Sequence, residues 1–512
     1  GVYSLYTYRR YDDLRLVMAP ELQAAHFGGD LDNFTYPRYA VDVAFLRAYE
    51  NGEPVRPEHF LEWSEAGATE GEPVFVVGNP GSTGRLLTYA QLEYLRDVDY
   101  PARLEDVDTR LAIMRDLASR SEAARRRYEN AILGMENTQK ATRGYHVGVK
   151  DSTIMARKRA FEEDFRSRIN ADPTLRARYG GAWDAIASAQ ADLAAFAAET
   201  RYFGFSPSPL SLAASMVRLP QQAELPDSLR LPGWRGKAVE IVRNRLLRDI
   251  PADTALDRLV LAAWLTTAVR DLGADHALVR TLLGGKPPEA AAAALVAGTR
   301  LYDRSVREEL VKGGAKAIER SKDPLIVAIR KLEPTALEVA ERATRLNATI
   351  ASNSSLIGEA IFAAYGTALP PDATFTPRIS DGVVKGFPMN GTVAPYRTSL
   401  YGLYARATEF DHKSPFNLAP SWQRAQSKVD MTTPVNFVST NDIIGGNSGS
   451  PVVNRAGEVV GLVFDGNIEM LPNRFIFTDE VSRAVSVHSQ VIIEALRKVY
   501  DANHIADEIV RR

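Results

Sequence analysis

The sequence contains no cysteine, and this absence excludes several kinds of chemistry at once. A chain without thiols forms no disulfide, no thiolate zinc site and no cysteine nucleophile. The cellular compartment stays open, because exported proteins can also lack cysteine. A membrane-spanning helix needs a run of about 18 apolar residues. No such run occurs, so the sequence predicts no membrane span.

The chain also lacks an excess of charge of either sign. Its 62 Lys and Arg residues nearly balance its 64 Asp and Glu residues, and the net charge is −2. This balance gives no electrostatic support for nucleic acid or an anionic membrane surface as a partner. The seven histidines are scattered, and no His-Glu-x-x-His motif occurs. We therefore predict no metal and no other cofactor.

The chain opens on Gly1-Val-Tyr-Ser, without an initiator methionine and without the basic and apolar segments of a signal peptide. We therefore expect that a part of the natural protein lies upstream of residue 1.

Local residue patterns divide the 512 residues into three segments. Residues 1–93 contain short β-type runs separated by turn residues, and this pattern returns in residues 366–512, which end in an amphipathic helix. Residues 94–365 carry Ala, Leu, Arg and Glu at helical spacing. The simplest architecture is one β catalytic unit that is interrupted by a large helical insertion. Insertions of that size commonly cover or gate a cleft.

The segment Gly445-Gly-Asn-Ser-Gly-Ser-Pro451 has the composition that a serine nucleophile requires. A glycine-permissive loop lets the hydroxyl of Ser448 project, while the backbone N–H groups of Gly446 and Ser448 can point at a developing oxyanion. The alternative is an ordinary Gly/Ser turn. Because a Val-Val strand and a Gly-Leu-Val-Phe strand follow the whole heptad, we interpret Ser448 as the nucleophile of a chymotrypsin-type peptidase.

A Ser/His/Asp triad also needs a carboxylate and an imidazole. Asp42 lies within the apolar run Val41–Leu46, which we predict to be a strand and where an ionised carboxylate requires a partner. In isolation, an aspartate that caps a turn explains Asp42 equally well, and the Ser448 loop favours the triad. Among the histidines, only His26 precedes Asp42 as the chymotrypsin order requires, and it lies too close in sequence. We assign no catalytic histidine and expect it upstream of residue 1.

Several motifs together resemble the S46 family of bacterial dipeptidyl peptidases, the dipeptidyl peptidase 7 and 11 group. They are Tyr11-Asp-Asp-Leu-Arg-Leu-Val, Gly28-Gly-Asp-Leu-Asp-Asn-Phe-Thr-Tyr-Pro-Arg38, Pro370-Pro-Asp-Ala-Thr-Phe-Thr-Pro-Arg-Ile-Ser-Asp-Gly and Gly446-Asn-Ser-Gly-Ser-Pro451. The resemblance implies a chymotrypsin-like double β-barrel with an inserted α-helical domain, the first barrel being incomplete here. It also implies removal of dipeptides from free peptide N-termini, a homodimer, and a periplasmic or cell-surface location.

The resemblance also assigns roles to residues. Ser448 and Asp42 take the nucleophile and triad positions, and Asn33, Phe34 and Asp465 take those that hold the α-ammonium group of the substrate. An ammonium group offers three donors, so an amide oxygen and a carboxylate form a suitable receptor. Without the resemblance, Asn33 and Asp465 would be read as turn residues. Phe34 departs from the tryptophan that the resemblance implies at this position, and it lacks the indole N–H.

By the same resemblance, Gly466 takes a position that is held by arginine in the acid-specific members of the family. A glycine there implies an uncharged, roomier pocket and a preference for hydrophobic residues at P1, closer to dipeptidyl peptidase 7. Two rival hypotheses stay open. One is an endopeptidase of the same fold, and the other is a peptide-binding protein without catalytic activity.

Overall fold

A computed structural model of the protein describes residues 5–510. Residues 1–4, on which the expectation of a missing upstream part rests, lie outside the described residues, as do residues 511–512. The chain divides into two compact units. Unit 1 comprises the described residues of Gly1–Leu86, Arg143–Ile154 and Pro370–Arg512, and unit 2 comprises Leu87–Thr142 and Met155–Leu369.

Every β-strand of the described residues belongs to unit 1. In chain order the strands are β1 (Asp13–Met18), β2 (Phe45–Glu50), β3 (Glu53–Pro54), β4 (Pro73–Gly78), β5 (Arg378–Val383), β6 (Phe387–Met389), β7 (Thr392–Ala394), β8 (Arg397–Ser399), β9 (Pro434–Ser439), β10 (Pro451–Val453), β11 (Val459–Gly466) and β12 (Ala484–His488). They form a three-stranded sheet β1-β2-β3, a pair β6-β7, and an antiparallel seven-stranded sheet of order β5-β4-β10-β11-β12-β9-β8.

Six strands of the large sheet close into a barrel. The N–H of Thr440, after β9, donates to the carbonyl of Val383 at the end of β5 at 3.0 Å. The N–H of Lys385 donates to the carbonyl of Val438 in β9 at 3.2 Å. These bonds join the first strand of the order to the sixth. The interior is filled by the inward side chains of the strands, including Val74, Val76, Phe437, Val452, Val460 and Val463.

Two predictions about residues 1–93 need correction. We placed this whole segment in the first barrel, but β4 pairs with β10 and β5 and belongs to the seven-stranded sheet. The alternation of buried and exposed residues in β4 reveals its two faces, whereas it carries no information about the neighbouring strands. The run Val41–Leu46 is not one strand, because β2 begins at Phe45. Asp42 lies in the extended segment that precedes it.

That extended segment is held by individual hydrogen bonds instead of a strand ladder. The N–H of Ala40 donates to Asn436 Oδ1, and Asn436 Nδ2 donates to the carbonyl of Ala40, each at 2.9 Å. The N–H of Val41 donates to the carbonyl of Ala24 at 3.0 Å. Asn436 is fully buried in β9. The backbone immediately before Asp42 is therefore fixed to the barrel.

The helices are concentrated in unit 2, which is entirely helical. In chain order the α-helices of both units are α1 (Leu22–Ala25), α2 (Gly29–Asp32), α3 (Tyr89–Tyr94), α4 (Tyr100–Ser119), α5 (Glu122–Lys150), α6 (Ser152–Ala171), α7 (Pro173–Tyr179), α8 (Ala182–Ala195), α9 (Ala197–Phe203), α10 (Ser208–Glu224), α11 (Ala238–Leu246), α12 (Thr254–Leu272), α13 (Ala277–Leu283), α14 (Pro288–Gly298), α15 (Arg304–Arg320), α16 (Pro324–Tyr365), α17 (Leu400–Glu409), α18 (Pro420–Ala425), α19 (Ser489–Glu494) and α20 (Asn503–Val510). Short 3-10 helices occur at Asp227–Leu229 and Pro232–Trp234, and a longer 3-10 helix occurs at Ile468–Arg474. Turns of π-helix occur at Leu95–Asp99 and Ala495–Val499.

Unit 2 is organised around the longest helix, α16, which has 42 residues. Asp323 caps its first turn, accepting from the backbone N–H groups of Leu325 and Ile326. The predicted helical segment 94–365 differs from unit 2 at both ends, and residues 143–154 belong to unit 1. Helical spacing in the sequence does not distinguish a helix of one unit from a helix of the other.

Within residues 5–510, no helix combines the length and apolar character that crossing a bilayer requires. Over the same residues, no three His, Asp or Glu side chains come together in a way that could hold a metal ion.

His488, at the end of β12, couples the stability of unit 1 to pH. The ring is fully buried, and burial lowers its pKa from the model-peptide value of 6.5 to about 4. Its Nδ1 accepts from the N–H of Gln490 at 3.2 Å. Between pH 4 and pH 6.5 the unfolded chain therefore binds more protons than the folded protein, so stability is full above this window and falls as the pH drops through it.

We predict that unfolding by urea occurs at a lower concentration at pH 4.5 than at pH 7. Each pKa unit corresponds to about 1.4 kcal/mol, so the buried neutral imidazole accounts for roughly 3 kcal/mol across the window. His488→Asn keeps a capping acceptor and should reduce the dependence on pH. The matched control is His412→Asn, at an exposed histidine whose φ of 53° asparagine tolerates. An equal slope in both variants would contradict the assignment.

Candidate active site

The loop that carries Ser448 is built as a nucleophile loop requires. Ser448 is exposed, between buried Asn447 and Ser450. Asn447 Oδ1 accepts from the N–H of Ile444 at 3.1 Å, and the N–H of Ser450 donates to the carbonyl of Asn447 at 2.9 Å. The neighbours of Ser448 thus anchor the loop, and the serine side chain projects from it.

Gly446 is required by the backbone and by its surroundings. Its φ is 111°, which disfavours any side chain, and a Cβ would lie 2.6 Å from the carbonyl oxygen of Asn79. Gly81 lies against the same loop, and its N–H donates to the carbonyl of Gly445 at 2.8 Å. The segment after β4 is therefore packed against the loop that carries Ser448 and is hydrogen-bonded to it.

The backbone N–H groups of Gly446 and Ser448 are available for an oxyanion. Within residues 5–510, neither group donates to a protein acceptor. The hydroxyl of Ser448 makes one long contact, 3.5 Å from Oγ to the carbonyl oxygen of Phe464 in β11. An exposed hydroxyl beside two unengaged N–H groups is the arrangement that stabilises a tetrahedral intermediate.

The carboxyl group of Asp42 interacts electrostatically with Arg38 and Asp465. Its side chain keeps contact with solvent, yet surrounding protein atoms raise the pKa of its carboxyl, Arg38 opposes that rise and Asp465 adds to it. Asp465 directly follows Phe464, whose carbonyl meets Ser448 Oγ. Within the described residues the Asp42 carboxylate accepts no hydrogen bond. The segment that carries Asp42 therefore interacts electrostatically with Asp465 of β11, and the approach of Asp42 to Ser448 stays a prediction.

Asp465 is the most enclosed acid of the site. Its Oδ2 accepts from the N–H of Phe34 at 3.0 Å and from Nη1 of Arg38 at 2.8 Å, and its Oδ1 accepts from the N–H of Gly466 at 2.8 Å. Burial raises the pKa of Asp465, whereas Arg38 and the two N–H groups lower it. A buried arginine demands a counter-charge, so we take Asp465 as ionised at neutral pH.

Arg38 is a site residue to which the sequence analysis assigned no role. Its side chain is 2% exposed, the side chain of Asp465 is 6% exposed, and the two form an ion pair. Arg38 also donates to the carbonyl of Asp32, whose own carboxylate pairs with Arg406 at 2.9 Å. The signal was present in the sequence, because an ionised Asp465 within an apolar strand requires a positive partner.

The N–H of Phe34 contacts Asp465, and Asn33 directly precedes Phe34 in the chain. Asn33 is buried at the C-terminal end of α2, where its N–H donates to the carbonyl of Gly29 at 3.2 Å. Phe34 is half-buried and has a φ of 53°, an unfavourable conformation for a phenylalanine. This conformation aims its N–H at Asp465. The fold therefore brings Phe34 to Asp465, with Asn33 as the preceding residue.

The surroundings of Gly466 differ from the roomy pocket that the sequence implied. A Cβ at Gly466 would lie 2.3 Å from Sδ and 2.6 Å from Cε of Met470. The thioether of Met470, which is 7% exposed, therefore fills the space that glycine leaves. Gly466 itself brings no charge, and a flexible methionine lies against it.

We predict that Arg38→Met destabilises the protein by about 3–5 kcal/mol, because it leaves the carboxylate of Asp465 buried without its counter-charge. The double variant Arg38→Met/Asp465→Asn should regain a large part of this loss. Thermal unfolding of both variants measures the difference. Arg10→Met, at an exposed ion pair with Asp12, is the matched control and should change stability by less than about 1 kcal/mol. Equal losses from Arg38→Met and Arg10→Met would contradict the role of the buried pair.

Comparisons with known proteins show which proteins this chain resembles. The chain is 28% identical over 549 residues to the Asp/Glu-specific dipeptidyl-peptidase of Shewanella putrefaciens, with 97% of this chain and 74% of the relative covered. It is 27% identical over 538 residues to dipeptidyl-peptidase 7 of Porphyromonas endodontalis, with 99% of this chain and 64% of the relative covered. The chain thus spans between 64% and 74% of the length of these two relatives.

Among solved structures, a crystal structure of Porphyromonas endodontalis DPP11 in complex with the dipeptide Arg-Glu has a similar fold. It aligns with a TM-score of 0.80 at 19% sequence identity, covering 98% of this chain and 74% of that one. The sequence profile of the family described as Peptidase S46 matches residues 1–510. The resemblance seen in the motifs is therefore confirmed, and the chain belongs to the peptidase S46 family.

Proposed function

We propose that the protein is a serine peptidase that releases dipeptides from the free N-termini of peptides. The observation that carries the proposal is the exposed hydroxyl of Ser448 in a loop with two unengaged N–H groups, 3.5 Å from the carbonyl oxygen of Phe464, the residue before Asp465. The dipeptidyl-peptidase names of both relatives support it, as does the dipeptide bound in the similar DPP11 structure.

In the proposed reaction, Ser448 Oγ attacks the carbonyl carbon of the second peptide bond. A histidine takes the hydroxyl proton and then passes it to the leaving amine, while Asp42 orients the imidazole and stabilises its charged form. The N–H groups of Gly446 and Ser448 bind the oxyanion. Water then hydrolyses the acyl-enzyme. The base is assigned to no histidine of the described residues, and its expected position upstream of residue 1 stays a prediction.

The receptor for the substrate N-terminus would set the length of the product. Oδ1 of Asp465 accepts one hydrogen bond from the protein, from Gly466, and an ionised carboxylate oxygen has capacity for another donor. We propose that this oxygen, together with Asn33, which precedes Phe34 in the chain, receives an α-ammonium group. Since Asp465 is one residue from Phe464, whose carbonyl touches Ser448, the receptor lies a short, fixed distance from the nucleophile.

We further propose a preference for hydrophobic residues at P1. Gly466 brings no charge, and Met470 offers an apolar and adaptable wall next to it. A carboxylate at P1 would find no positive partner at position 466. The names of the two relatives point in different directions here, since one is Asp/Glu-specific and the other is a dipeptidyl-peptidase 7.

The double-barrel architecture also belongs to the proposal. One six-stranded barrel closes, and we assign the sheet β1-β2-β3 to the first, incomplete barrel. Beside this sheet lies an open groove of about 860 Å³, with exposed apolar side chains such as Leu46 and Phe60 on its walls. A homodimer and a periplasmic or cell-surface location stay predictions from the resemblance.

A rival function in the same fold is an endopeptidase, which would need no receptor for an ammonium group. The buried, ionised Asp465 beside Ser448 favours the exopeptidase. The other rival is a peptide-binding protein without catalysis. The unengaged N–H groups of Gly446 and Ser448 favour the enzyme, because peptide binding alone does not require an oxyanion site.

The whole protein, as produced from its gene, should hydrolyse a dipeptidyl amide with a free N-terminus and leave the N-acetylated substrate intact. Ser448→Ala should reduce kcat by at least about 10⁴-fold, because it removes the nucleophile. Ser427→Ala, at an exposed loop serine, is the control and should retain full activity. Equal hydrolysis of the free and acetylated substrates would remove the exopeptidase claim.

Dipeptidyl amides with Leu and Asp at P1 test the specificity. We expect a higher kcat/KM for the Leu substrate by at least about tenfold, which corresponds to about 1.4 kcal/mol. Met470→Ala should reduce this ratio, because it takes away the apolar wall. Faster hydrolysis of the Asp substrate by the unmodified protein would contradict the preference.

A further inference from the structure

Phe375, in the segment between Pro370 and β5, has an unusual combination of conformation and exposure. Its φ is 62°, a region that phenylalanine rarely occupies, and 64% of its surface is exposed. Two other phenylalanines share a positive φ. Phe34 contacts the buried Asp465, and Phe205 is fully buried in unit 2.

Burial cannot account for the conformation of Phe375. In a buried side chain, packing can offset an unfavourable backbone conformation, whereas most of the Phe375 ring faces solvent. Strained residues that persist without such packing are concentrated at functional sites. Exposed aromatic rings are also a common means of contacting a ligand. The positive φ and the exposed ring together indicate that Phe375 has a functional role.

Phe375 is hydrogen-bonded to Gly81 and Asn79, in the segment that contacts the Ser448 loop. The N–H of Phe375 donates to the carbonyl of Gly81 at 2.8 Å, and the N–H of the same Gly81 donates to the carbonyl of Gly445 at 2.8 Å. Asn79 Nδ2 donates to the carbonyl of Phe375 at 3.2 Å. One residue, Gly81, therefore separates the backbone of Phe375 from the backbone of the loop that carries Ser448.

These bonds also fix the distance scale. Hydrogen-bonded neighbouring chains lie about 4.8 Å apart, so two such steps separate Phe375 from Gly445 by about 10 Å. An extended peptide advances about 3.4 Å per residue. The ring is thus within reach of the first two or three residues beyond a peptide bond that is cleaved at Ser448.

Phe375 and the ammonium receptor adjoin the loop at different places. Asp465 adjoins Ser448 through Phe464 of β11, whereas Phe375 adjoins the loop through Gly445, which precedes the nucleophile. Phe375 is therefore linked to a different part of the Ser448 loop than Asp465 is.

On the basis of the proposed function, we propose that Phe375 binds the leaving part of the peptide substrate. Its ring contacts apolar side chains at P1′ and P2′ and contributes to specificity on that side of the cleaved bond. The ligand is the substrate itself, an oligopeptide of at least four residues. Phe375 is a specificity residue and takes no part in the transfer of protons.

The test compares two substrates that share the same dipeptide. One is a dipeptide with an unsubstituted C-terminal amide, whose leaving group is ammonia so that nothing occupies P1′ or P2′, and the other is a tetrapeptide with apolar residues at P1′ and P2′. In the whole protein, Phe375→Ala should lower kcat/KM for the tetrapeptide by about tenfold, equivalent to about 1.4 kcal/mol. It should leave kcat/KM for the amide unchanged.

Further variants separate the ring from the backbone. Phe375→Gly relieves the strained φ and also removes the ring, so it should give the same substrate-dependent loss together with a higher midpoint of thermal unfolding. Phe375→Tyr should restore tetrapeptide hydrolysis. Tyr401→Ala, at an aromatic residue of α17 that is 70% exposed, is the control and should affect neither substrate.

A loss that is equal for both substrates, or no loss for either, would overturn the role of Phe375 while leaving dipeptide release intact. If the unmodified protein released no dipeptide from either substrate, the proposed function would fall and this inference with it.

Discussion

The site depends on one buried ion pair, between Arg38 and Asp465. The pair connects the segment that begins at α2 to β11 of the barrel, and each partner is almost entirely removed from solvent. Such a pair is costly to form, and further hydrogen bonds to both groups reduce the cost, although the buried Nε of Arg38 has no acceptor among the described residues. The N–H groups of Phe34 and Gly466 and the carbonyl of Asp32 provide these bonds. The pair therefore fixes the predicted N-terminus receptor against the strand that borders Ser448.

A second constraint is the close approach of backbone to backbone around the nucleophile. Gly81 and Gly446 lie so near to each other's segments that no side chain fits at either position. This contact lets a rigid strand, β4, determine the shape of the loop. Its physical benefit would be preorganisation, because N–H groups held in a fixed loop and engaged by no protein acceptor need little rearrangement when an oxyanion forms. Gly81, which is hydrogen-bonded to Gly445, is also hydrogen-bonded to Phe375.

Part of this arrangement could be predicted from the sequence, and the reasons are local. The heptad around Ser448 fixes a glycine-dependent turn within seven residues, and Asp42 was noticed because a carboxylate in an apolar run is costly. The helical and β segments followed from residue periodicity. Each of these signals is contained in a short stretch of chain.

The remainder depended on partners that are distant in sequence. The alternation in β4 did not reveal that its neighbours are β5 and β10, and the segment before β2 owes its extended form to Asn436. Met470 fills the space beside Gly466, which the glycine alone suggested was open. Arg38 belongs to a motif of the sequence, but its pairing with Asp465, which lies far away in the chain, becomes apparent only in the folded protein.

The most direct test of the central claim is a crystal structure of the whole protein after reaction with a dipeptidyl phosphonate that has a free N-terminus. The account predicts a covalent bond between phosphorus and Ser448 Oγ, a phosphonyl oxygen at the N–H groups of Gly446 and Ser448, and the ammonium group at Asp465. An imidazole should lie between Ser448 and Asp42. A phosphonate attached to another residue, or Asp42 pointing away from the nucleophile, would contradict it.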